Sequence, residues 1–325
     1  MKHVCVACCL ILLPALQLSK AAELVPVQKV TMPNDTSYGL EKWRHGNLIS
    51  VDKSQAESAT FILSQANGAR STFKFSLPNA TRVWVHDFDL DAKNTIVFCG
   101  QGYSSEGQLA PFLAVKEANS ESATVIRTYP YRAWAISVAT DGSIWTVGLE
   151  SAVSDPSQRV VNKSGDELRH FDRTGKLIAS GVPYTDLGQA WSGEDSILSA
   201  TNSKIGWYGP TSWRPSHSTD AMKPAYIEIS SDLRSRTIYP GIPPMAGAGQ
   251  ALALVLTESG DAFLTWDDLA GGRATYHLDR SLRQWVKVPV GQADPNVIPV
   301  LKGEDQGVLV FREANSLSFL QWMNN

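Results

Sequence analysis

The stretch DGSIWTVG, residues 141–148, has the pattern of a tight turn followed by a β-strand. Asp141 and Gly142 are turn formers, and the four residues 144–147 are β-branched or aromatic, which favours a pleated surface. A second apolar run, residues 133–138, comes just before the turn. The two runs therefore predict a β-hairpin.

Similar hairpins recur along the whole chain. The first apolar residue after each turn marks one repeat, and these residues lie roughly 45 to 66 positions apart: Leu48, Ile96, Ile144, Ile197, Phe263 and Val308. A period of about 40–50 residues with four strands per unit is typical of a β-propeller. Helical periodicity is nearly absent, so the sequence predicts an all-β chain.

Each repeat is interpreted as four strands, A to D. The innermost A strands are the most apolar, and we expect them at residues 83–88, 133–138, 189–192, 251–256 and 297–301. The sixth repeat lacks its last strand, whereas an alternating segment, residues 23–30, has no place in the first repeat. The predicted fold is therefore a six-bladed β-propeller whose last blade is closed by the N-terminal strand.

The hairpin in TDGSIWTVG, residues 140–148, and the turn in HFDRTGKLIAS, residues 170–180, carry a family resemblance. They resemble six-bladed propellers of the NHL-repeat and SMP-30/gluconolactonase-like superfamily. The resemblance covers the chain as architecture and implies the propeller fold. It says little about function, because the same fold supports many activities.

The first 21 residues have the pattern of a cleaved secretory signal peptide. Lys2 and His3 precede an apolar run of about 15 residues, and small residues flank the expected cleavage site before Ala22. Cys8 and Cys9 lie inside the apolar run, which argues against a lipid anchor. We expect residues 22–325 to form a single secreted or periplasmic domain with a long inserted loop at about 202–224, and no membrane insertion after signal cleavage.

The composition excludes several classes of partner. The net charge is −3 and 19% of the residues are charged, which does not favour nucleic acid or an anionic membrane. Cys99 is the one cysteine left after signal cleavage, so no intramolecular disulfide can form. We expect a monomer that needs no cofactor.

A polar residue precedes each predicted A strand, and by the repeat symmetry these residues should surround the mouth of the central channel. They are Arg82, Arg132, Gln189, Gln250 and Asn296, with Tyr38 in the first repeat. Two guanidinium groups and several amides suit a carboxylate, a phosphate or a sugar acid. The alternative is that these side chains bond to loop carbonyls and to channel water.

The resemblance also implies a test for metal-dependent enzymes. Gluconolactonase-like enzymes hold a divalent metal with acidic and amide residues at the channel, whereas here two of the equivalent places carry arginine and none carries a carboxylate. A hard cation needs several oxygen ligands, which argues against a lactonase. Asp87, Asp89 and Asp91 are the remaining metal candidates, and a solvated turn on the opposite face is the favoured interpretation of that run.

The long insert in the fourth repeat concentrates aromatic and polar side chains within eleven positions: Trp207, Tyr208, Trp213, Arg214 and His217. Aromatic planes next to arginine and histidine suit a sugar ring or a peptide. The insert could equally fold over the propeller and bury its aromatic rings in a small core of its own.

Sequence patterns for common catalytic sites are missing. The chain contains no G-x-S-x-G, no H-E-x-x-H and no Walker loop. We therefore favour a non-enzymatic propeller that binds a peptide, a glycan, a small anionic molecule or a partner protein through its loop face. The alternative is a hydrolase or lyase acting on a small anionic sugar derivative at the channel mouth. Such an enzyme needs a carboxylate or histidine within hydrogen-bond reach of the arginines.

Overall fold

The computed structural model describes residues 23–32, 40–52, 57–153, 160–187, 196–210, 224–242, 249–268, 272–290 and 299–323. The regular structure in these ranges is β-strand, apart from one 3₁₀ turn at Tyr184–Leu187. No helix in the described ranges is long and apolar enough to cross a membrane. The predicted signal peptide lies outside the described residues.

The strands follow one another through short turns in most of the chain. In chain order they are β1 (Glu23–Thr31), β2 (Leu40–Arg44), β3 (Asn47–Asp52), β4 (Ala59–Gln65), β5 (Arg70–Phe75), β6 (Arg82–Leu90), β7 (Ile96–Ser104), β8 (Gly107–Lys116), β9 (Thr124–Arg127), β10 (Tyr131–Val138), β11 (Ile144–Glu150), β12 (Asp166–Phe171), β13 (Leu177–Pro183), β14 (Ile197–Ala200), β15 (Lys204–Pro210), β16 (Pro224–Ser230), β17 (Arg236–Pro240), β18 (Gln250–Leu256), β19 (Ala262–Asp268), β20 (Gly272–Asp279), β21 (Gln284–Val288), β22 (Val300–Asp305), β23 (Val308–Glu313) and β24 (Ser316–Met323).

Four sheets contain four strands each and follow chain order: β6–β9, β10–β13, β14–β17 and β18–β21. A fifth sheet has eight strands in the order β1-β24-β23-β22-β2-β3-β4-β5. It joins two four-stranded units through a parallel contact of β2 with β22, at Trp43 and Gly303. β1 pairs antiparallel with β24 along its length, from Glu23 opposite Met323 to Thr31 opposite Ser316. The sequence predicted this pairing for the N-terminal segment.

The first strand of each four-stranded unit contacts the first strand of the next. β2 contacts β6, β6 contacts β10, β10 contacts β14, β14 contacts β18, β18 contacts β22, and β22 returns to β2. We call these six the inner strands, and the end at which each begins its upper end. Apolar clusters fill the space between neighbouring units, for example Phe61, Phe88 and Phe98 between the first and second. Burying such aromatic rings is the main source of stability between the sheets.

The fourth unit departs from the sequence prediction. Its inner strand is β14, whereas the sequence placed that strand at residues 189–192, which lie outside the described ranges. Ile197 therefore begins the inner strand and not the second one, which is β15 with Ile205 as its first apolar residue. The turn between them, residues 201–203, has no glycine or proline, and β14 is only four residues long. Both features hid the hairpin.

A repeated hydrogen bond ties each of several inner strands to the next. The Val138 amide donates to Asp89 Oδ2 at 2.8 Å, the Ala200 amide to Ser137 Oγ at 2.9 Å, and the Leu256 amide to Ser199 Oγ at 2.9 Å. The Gly46 amide donates to Asp305 Oδ2 at 3.0 Å, which links β22 to the turn after β2 in the same way. We call these bonds the inter-blade braces. Each one gives a backbone amide of one unit a side-chain acceptor from the neighbouring unit.

Asp89 has a second role, because it binds a cation from the preceding unit. Arg44 Nε donates to Asp89 Oδ1 at 2.8 Å, and the Asp89 side chain is fully buried. Burial alone would raise the pKa of Asp89, but Arg44 and Lys42 lower it below the ordinary value of 3.8. The carboxylate is therefore charged at neutral pH and connects three successive units.

Replacing this carboxylate should destabilise the whole fold. Asp89→Asn keeps the size of the side chain and removes the charge that buried Arg44 needs. We expect the free energy of unfolding, measured with urea, to fall by about 3–5 kcal/mol, the range for breaking a buried ion pair. Asp172→Asn, in a turn and outside any buried ion pair, is the control and should cost much less than Asp89→Asn.

The pH dependence of the stability difference between wild type and Asp89→Asn tests the direction of the Asp89 pKa shift. A folded pKa below the unfolded one means that the Asp89 contribution is present above about pH 4. It is lost as the pH falls through the folded pKa. The stability difference between wild type and Asp89→Asn should therefore shrink in acid. Equal stability of wild type and Asp89→Asn at neutral pH would show that the buried ion pair with Arg44 contributes nothing.

Candidate functional site

Four inner strands carry a β-bulge at the same place. The extra residue is His86 in β6, Trp134 in β10, Leu252 in β18 and Lys302 in β22. The brace donors Val138 and Leu256 lie four positions after the extra residues Trp134 and Leu252. Counting back four positions from the brace donors of the first and fourth units gives Lys42 and Ser196 as the equivalent residues. We call it the bulge position. A bulge bends its strand and redirects a side chain, and bulges are common next to binding sites.

Glycines opposite two of these bulges make room for the bent backbone. A Cβ on Gly148 would lie 2.0 Å from the Arg132 carbonyl oxygen, and a Cβ on Gly100 would lie 2.3 Å from the Trp84 carbonyl oxygen. No side chain fits at such distances. Gly148 is the last residue of the DGSIWTVG stretch, so this stretch also shapes the inner strand before it.

The bulges correct the register that the sequence predicted for the two arginines. Arg132 and Gln250 each lie two positions before the extra residue of a bulge. The residue at the equivalent place in β6 is Trp84. Arg82 lies two positions earlier still, so the prediction that Arg82 and Arg132 share one level was wrong. Arg82 and Trp84 share a strand face, because side chains alternate along a strand. The error arose because polar-apolar-Trp patterns in β6 and β10 look alike, whereas their tryptophans hold different positions.

The structure brings together an aromatic cluster at the upper ends of β6 and β10. The His86 ring stacks on Trp134 with centroids 4.2 Å apart and planes at 20°, and Trp84 meets His86 edge-on at 5.9 Å. Arg82 lies 5.3 Å from the Trp84 ring and Arg132 lies 5.7 Å from the Trp134 ring. We call these five residues the mouth cluster. Stacked rings next to guanidinium groups are stabilised by cation–π attraction.

The mouth cluster contains an exposed Trp84 ring and a His86 ring that a hydrogen bond holds in one orientation. Trp84 is 42% exposed, which is unusual for a tryptophan on an inner strand. His86 Nδ1 lies 2.8 Å from the Ala133 carbonyl oxygen, which can only accept, so Nδ1 carries the proton. The Trp134 indole N–H has no partner among the described residues. The arrangement suits a ligand with one flat apolar face and with polar groups around it.

Two ion pairs lie just beyond the mouth cluster along the inner strands. Lys42 Nζ lies 2.8 Å from Asp87 Oδ1 and donates to the Ile136 carbonyl at 3.1 Å, so it connects the first three units. Arg44 and Asp89 form the second pair. The Ile136 amide also donates to Asp87 at 2.9 Å. These contacts form a closed layer beneath the cluster and engage both carboxylates.

The structure supports neither interpretation of the acidic run Asp87, Asp89 and Asp91, the metal site or the solvated turn. Asp87 and Asp89 bind neighbouring units, and Asp91 accepts from the amides of Lys93 and Thr95 to close the following turn. Asp91 is 5% exposed, so the run is not a solvated turn. No group of three or more potential metal ligands occurs among the described residues. The partners in other units could not be read from the local pattern.

The aromatic residues at the start of the predicted insert belong to the core. Trp207 and Tyr208 lie in β15, and each is 2% exposed. Trp207 donates its indole N–H to Ser196 Oγ at 3.1 Å, and the Tyr208 hydroxyl accepts from the Ile242 amide at 2.9 Å. The prediction that these two bind a ligand was wrong, because they alternate into the cores on either side of their sheet. Trp213, Arg214 and His217 lie outside the described residues, as do Tyr38, Gln189 and Asn296.

A second charged cluster at the upper ends of the fifth, sixth and first units was missed by the sequence analysis. Lys302 Nζ lies 3.3 Å from Glu41 Oε2, and Arg273 Nη2 lies 2.9 Å from Asp267 Oδ2. Arg312 is opposite Val300 on the strand next to Lys302, and it is 9% exposed. We call these five residues the cationic cluster: Glu41, Asp267, Arg273, Lys302 and Arg312. They come from five strands and form no sequence motif.

The third unit contains a buried acid with an unusual environment. Glu167 is fully buried, and neither carboxylate oxygen has a partner among the described residues. Burial raises the pKa of Glu167 to about 9, although Arg169 opposes this, so the group is neutral at pH 7. Arg169 itself pairs with Glu150 at 2.6 Å and lies 4.0 Å from the Tyr131 ring. A neutral acid explains how Glu167 tolerates this site.

No protein-family model matches the chain, and no curated protein matches it either. Several solved structures are similar. An α-L-arabinanase from Penicillium chrysogenum, complexed with arabinobiose, is 12% identical with a TM-score of 0.51, covering 92% of this chain and 98% of the enzyme. A GH43_1 enzyme from Xanthomonas citri, complexed with xylose, is 12% identical with a TM-score of 0.46 over 84% and 95% of the two chains. The Pan2 WD40 domain of Neurospora crassa is 12% identical with a TM-score of 0.44 over 93% and 96%.

These structures are β-propellers, and the chain has a β-propeller fold. At such low identity the likeness shows the fold alone. The similar structures include glycosidases, WD40 domains and an oxidase, so they do not separate a binding role from sugar hydrolysis. The residues of the site must make that distinction.

Proposed function

We propose that the protein is a non-enzymatic binding propeller, and that its mouth cluster binds a glycan carrying a negative charge. The observation that carries the proposal is the exposed Trp84 ring beside the stacked His86 and Trp134 rings, with the Arg82 guanidinium over the Trp84 ring. A sugar ring places its C–H face on such a plane and its hydroxyls toward the polar rim. The arginines favour a carboxylate, sulfate or phosphate substituent. A peptide with an acidic and an aromatic side chain is the competing ligand class.

The inner-strand carboxylates support binding over catalysis. Asp87 and Asp89 accept backbone amides and pair with Lys42 and Arg44, so neither is available for proton transfer. General acid–base catalysis needs a titratable group within hydrogen-bond reach of the reacting atoms. One observation favours the alternative, a hydrolase or lyase acting on an anionic sugar, because the His86 ring lies within the mouth cluster.

A binding assay on the mouth cluster tests the proposal. Trp84→Ala should weaken the binding of glucuronate or of acidic oligosaccharides by about tenfold or more, since it removes the ring that the sugar contacts. Its melting temperature should change little, because the side chain is partly exposed. Trp207→Ala removes a buried ring and should instead cost about 3–5 kcal/mol of stability.

The assay should be run by calorimetry against neutral sugars, acidic sugars and short acidic peptides. Ile178→Ala, on an outer strand, is the control that should leave binding unchanged. Equal affinity of wild type and Trp84→Ala for every ligand would reject the mouth cluster as the site. Turnover of an acidic sugar that is lost in His86→Ala would support the hydrolase or lyase instead.

We infer that the propeller has six blades, that β1 completes the last one, and that the architecture is of the NHL-like kind. The cyclic contacts of the inner strands and the two units within the eight-stranded sheet support this count. The Asp305–Gly46 brace joins the last unit to the first with the same geometry as the braces between other units. We also propose a single domain that is monomeric; the inner strand of each unit contacts that of the next in one closed series, which supports the single domain.

Removing the closing strand tests this arrangement. A chain beginning at Pro33 lacks β1, which leaves the edge of β24 unpaired, uncovers the apolar cluster that holds Leu24, and removes the Lys29–Glu313 ion pair. We expect it to aggregate or to lose a cooperative thermal transition. A chain beginning at Ala22 that carries Val27→Lys, at an exposed position of β1, should melt normally. Normal melting of the shorter chain would contradict the closure.

We propose that the protein is secreted or periplasmic after cleavage before Ala22. The apolar run and the small residues at the expected cleavage site support this. The first described strand begins at Glu23, directly after the proposed signal. Mass spectrometry of the protein recovered from its native host would give the mature N-terminus, and an intact Met1 would contradict the proposal.

A further inference from the structure

Arg82 lies against two aromatic rings at the upper end of β6. Its guanidinium carbon is 5.3 Å from the centroid of the Trp84 ring and 5.9 Å from the centroid of the Tyr103 ring. Trp84 shares a strand face with Arg82, and Tyr103 is directly opposite Arg82 on β7. Both distances are within the range of cation–π attraction. The antiparallel register therefore brings two rings to one guanidinium group.

Tyr103 is tied to the chain next to Arg82. The Thr81 amide donates to the Tyr103 carbonyl oxygen at 2.7 Å, and the Thr81 hydroxyl donates to the same oxygen at 3.2 Å. Tyr103 is half-buried, whereas Arg82 is exposed. The hairpin of β6 and β7 therefore holds the Tyr103 backbone beside the start of β6, and the exposed guanidinium packs against the Tyr103 ring.

The positive charge of Arg82 has no counterion among the described residues. Arg82 forms neither a hydrogen bond nor an ion pair with them, and its contacts are with the two rings. Arg44 and Arg169, in contrast, each donate to a carboxylate. Aromatic rings attract a cation but leave its N–H groups available as donors. Arg82 is therefore held in place without being neutralised.

The two arginines of the mouth cluster are not equivalent in this respect. Arg132 lies 5.7 Å from the Trp134 ring and is engaged in a further interaction besides this contact. Arg82 is the one of the two whose guanidinium donors are available within the described part of the chain. A ligand charge is therefore expected at Arg82.

The geometry of the Arg82 guanidinium fits a carboxylate. Its planar fork can donate two parallel hydrogen bonds to the two carboxylate oxygens, which a single ammonium group cannot do. The Trp84 ring is in contact with Arg82 and is 42% exposed. A sugar ring on the exposed part of Trp84 can therefore bring its own carboxylate to the guanidinium.

We propose that Arg82 distinguishes acidic from neutral sugars by binding their carboxylate in this paired manner, and that Tyr103 is its positioning residue. The assignment rests on the proposed function, because it concerns the ligand of the mouth cluster. Contact with two rings restricts the guanidinium before the ligand arrives, which reduces the entropy lost on binding. Trp84 contributes affinity for the face of the sugar, whether or not the sugar is charged.

The ratio of the affinities for glucuronate and for its neutral amide, glucuronamide, measures the recognition of charge. Both ligands carry the same sugar ring, so a general loss of structure weakens both and leaves the ratio unchanged. By calorimetry, wild type should bind glucuronate about tenfold more tightly, the effect of a hydrogen bond to a charged group. Arg82→Met should abolish this difference. Arg82→Lys keeps the charge without the fork and should restore only part of it.

Two substitutions of Tyr103 test its positioning role. Tyr103→Leu removes the ring beside Arg82 and should reduce the ratio about two- to fivefold, the effect of losing one exposed cation–π contact. Tyr103→Phe keeps the ring and should keep the ratio of wild type. If Tyr103→Leu does not fold, the two Arg82 variants still test the assignment of the charge.

Arg127→Met is the control for a lost positive charge, because Arg127 is an exposed arginine on the outer strand β9 of the same unit. It should leave the ratio unchanged. Equal affinities of wild type for the two ligands, or a ratio that survives Arg82→Met, would overturn the proposal. Equal ratios in Tyr103→Leu and Tyr103→Phe would overturn the positioning role.

The Trp84→Ala variant separates failure of this inference from failure of the proposed function. If Trp84→Ala weakens both ligands while Arg82→Met leaves their ratio unchanged, the mouth cluster is the site and Arg82 does not recognise the charge. If Trp84→Ala binds both ligands as wild type does, the mouth cluster is not the site, and the assignment of Arg82 fails with it.

Discussion

The structure depends on a hydrogen bond between neighbouring inner strands, in which a side-chain oxygen accepts a backbone amide of the next unit. Asp89, Ser137, Ser199 and Asp305 all supply that oxygen at one register position. Each such bond contributes about 0.5–1.5 kcal/mol, but leaving the buried amide without a partner would cost more. The bonds fix the height of one inner strand relative to the next. Side chains at the upper ends are therefore held in a defined register.

The bulges and the ion pairs position the side chains of the candidate site. The bulge position brings His86 against Trp134, although the two residues come from different sheets. Next along the strands, the carboxylates of Asp87 and Asp89 form ion pairs with Lys42 and Arg44, so they are not free for acid–base chemistry. The same position in the sixth unit carries Lys302, with arginines and acids around it. One end of the inner strands thus carries flat rings on one side and a group of ion pairs on the other.

Local patterns were enough to predict the strands that alternate or that are apolar throughout. The outer and middle strands, such as β12 and β20, were predicted because adjacent turns fix their order. The pairing of β1 with β24 was predicted because the sixth repeat lacks a strand and the N-terminal segment has no place in the first. The bulges were not predictable, since an inserted residue leaves no fixed residue type behind. The roles of Asp87 and Asp89 were missed because Lys42 and Arg44 lie about 45 residues away. The strand at Ile197 was recognised but given the second place in its unit, because β14 is only four residues long and no glycine or proline marks the turn after it.

The proposed function requires that ligands bind at the upper ends of the inner strands β6 and β10. Hydrogen–deuterium exchange in the presence of saturating glucuronate tests it directly, because it reports protection along every described strand. We expect slower exchange at the beginnings of β6 and β10 and no change in the outer strands β5, β13 and β21. Protection confined to the outer strands, or none anywhere, would contradict it.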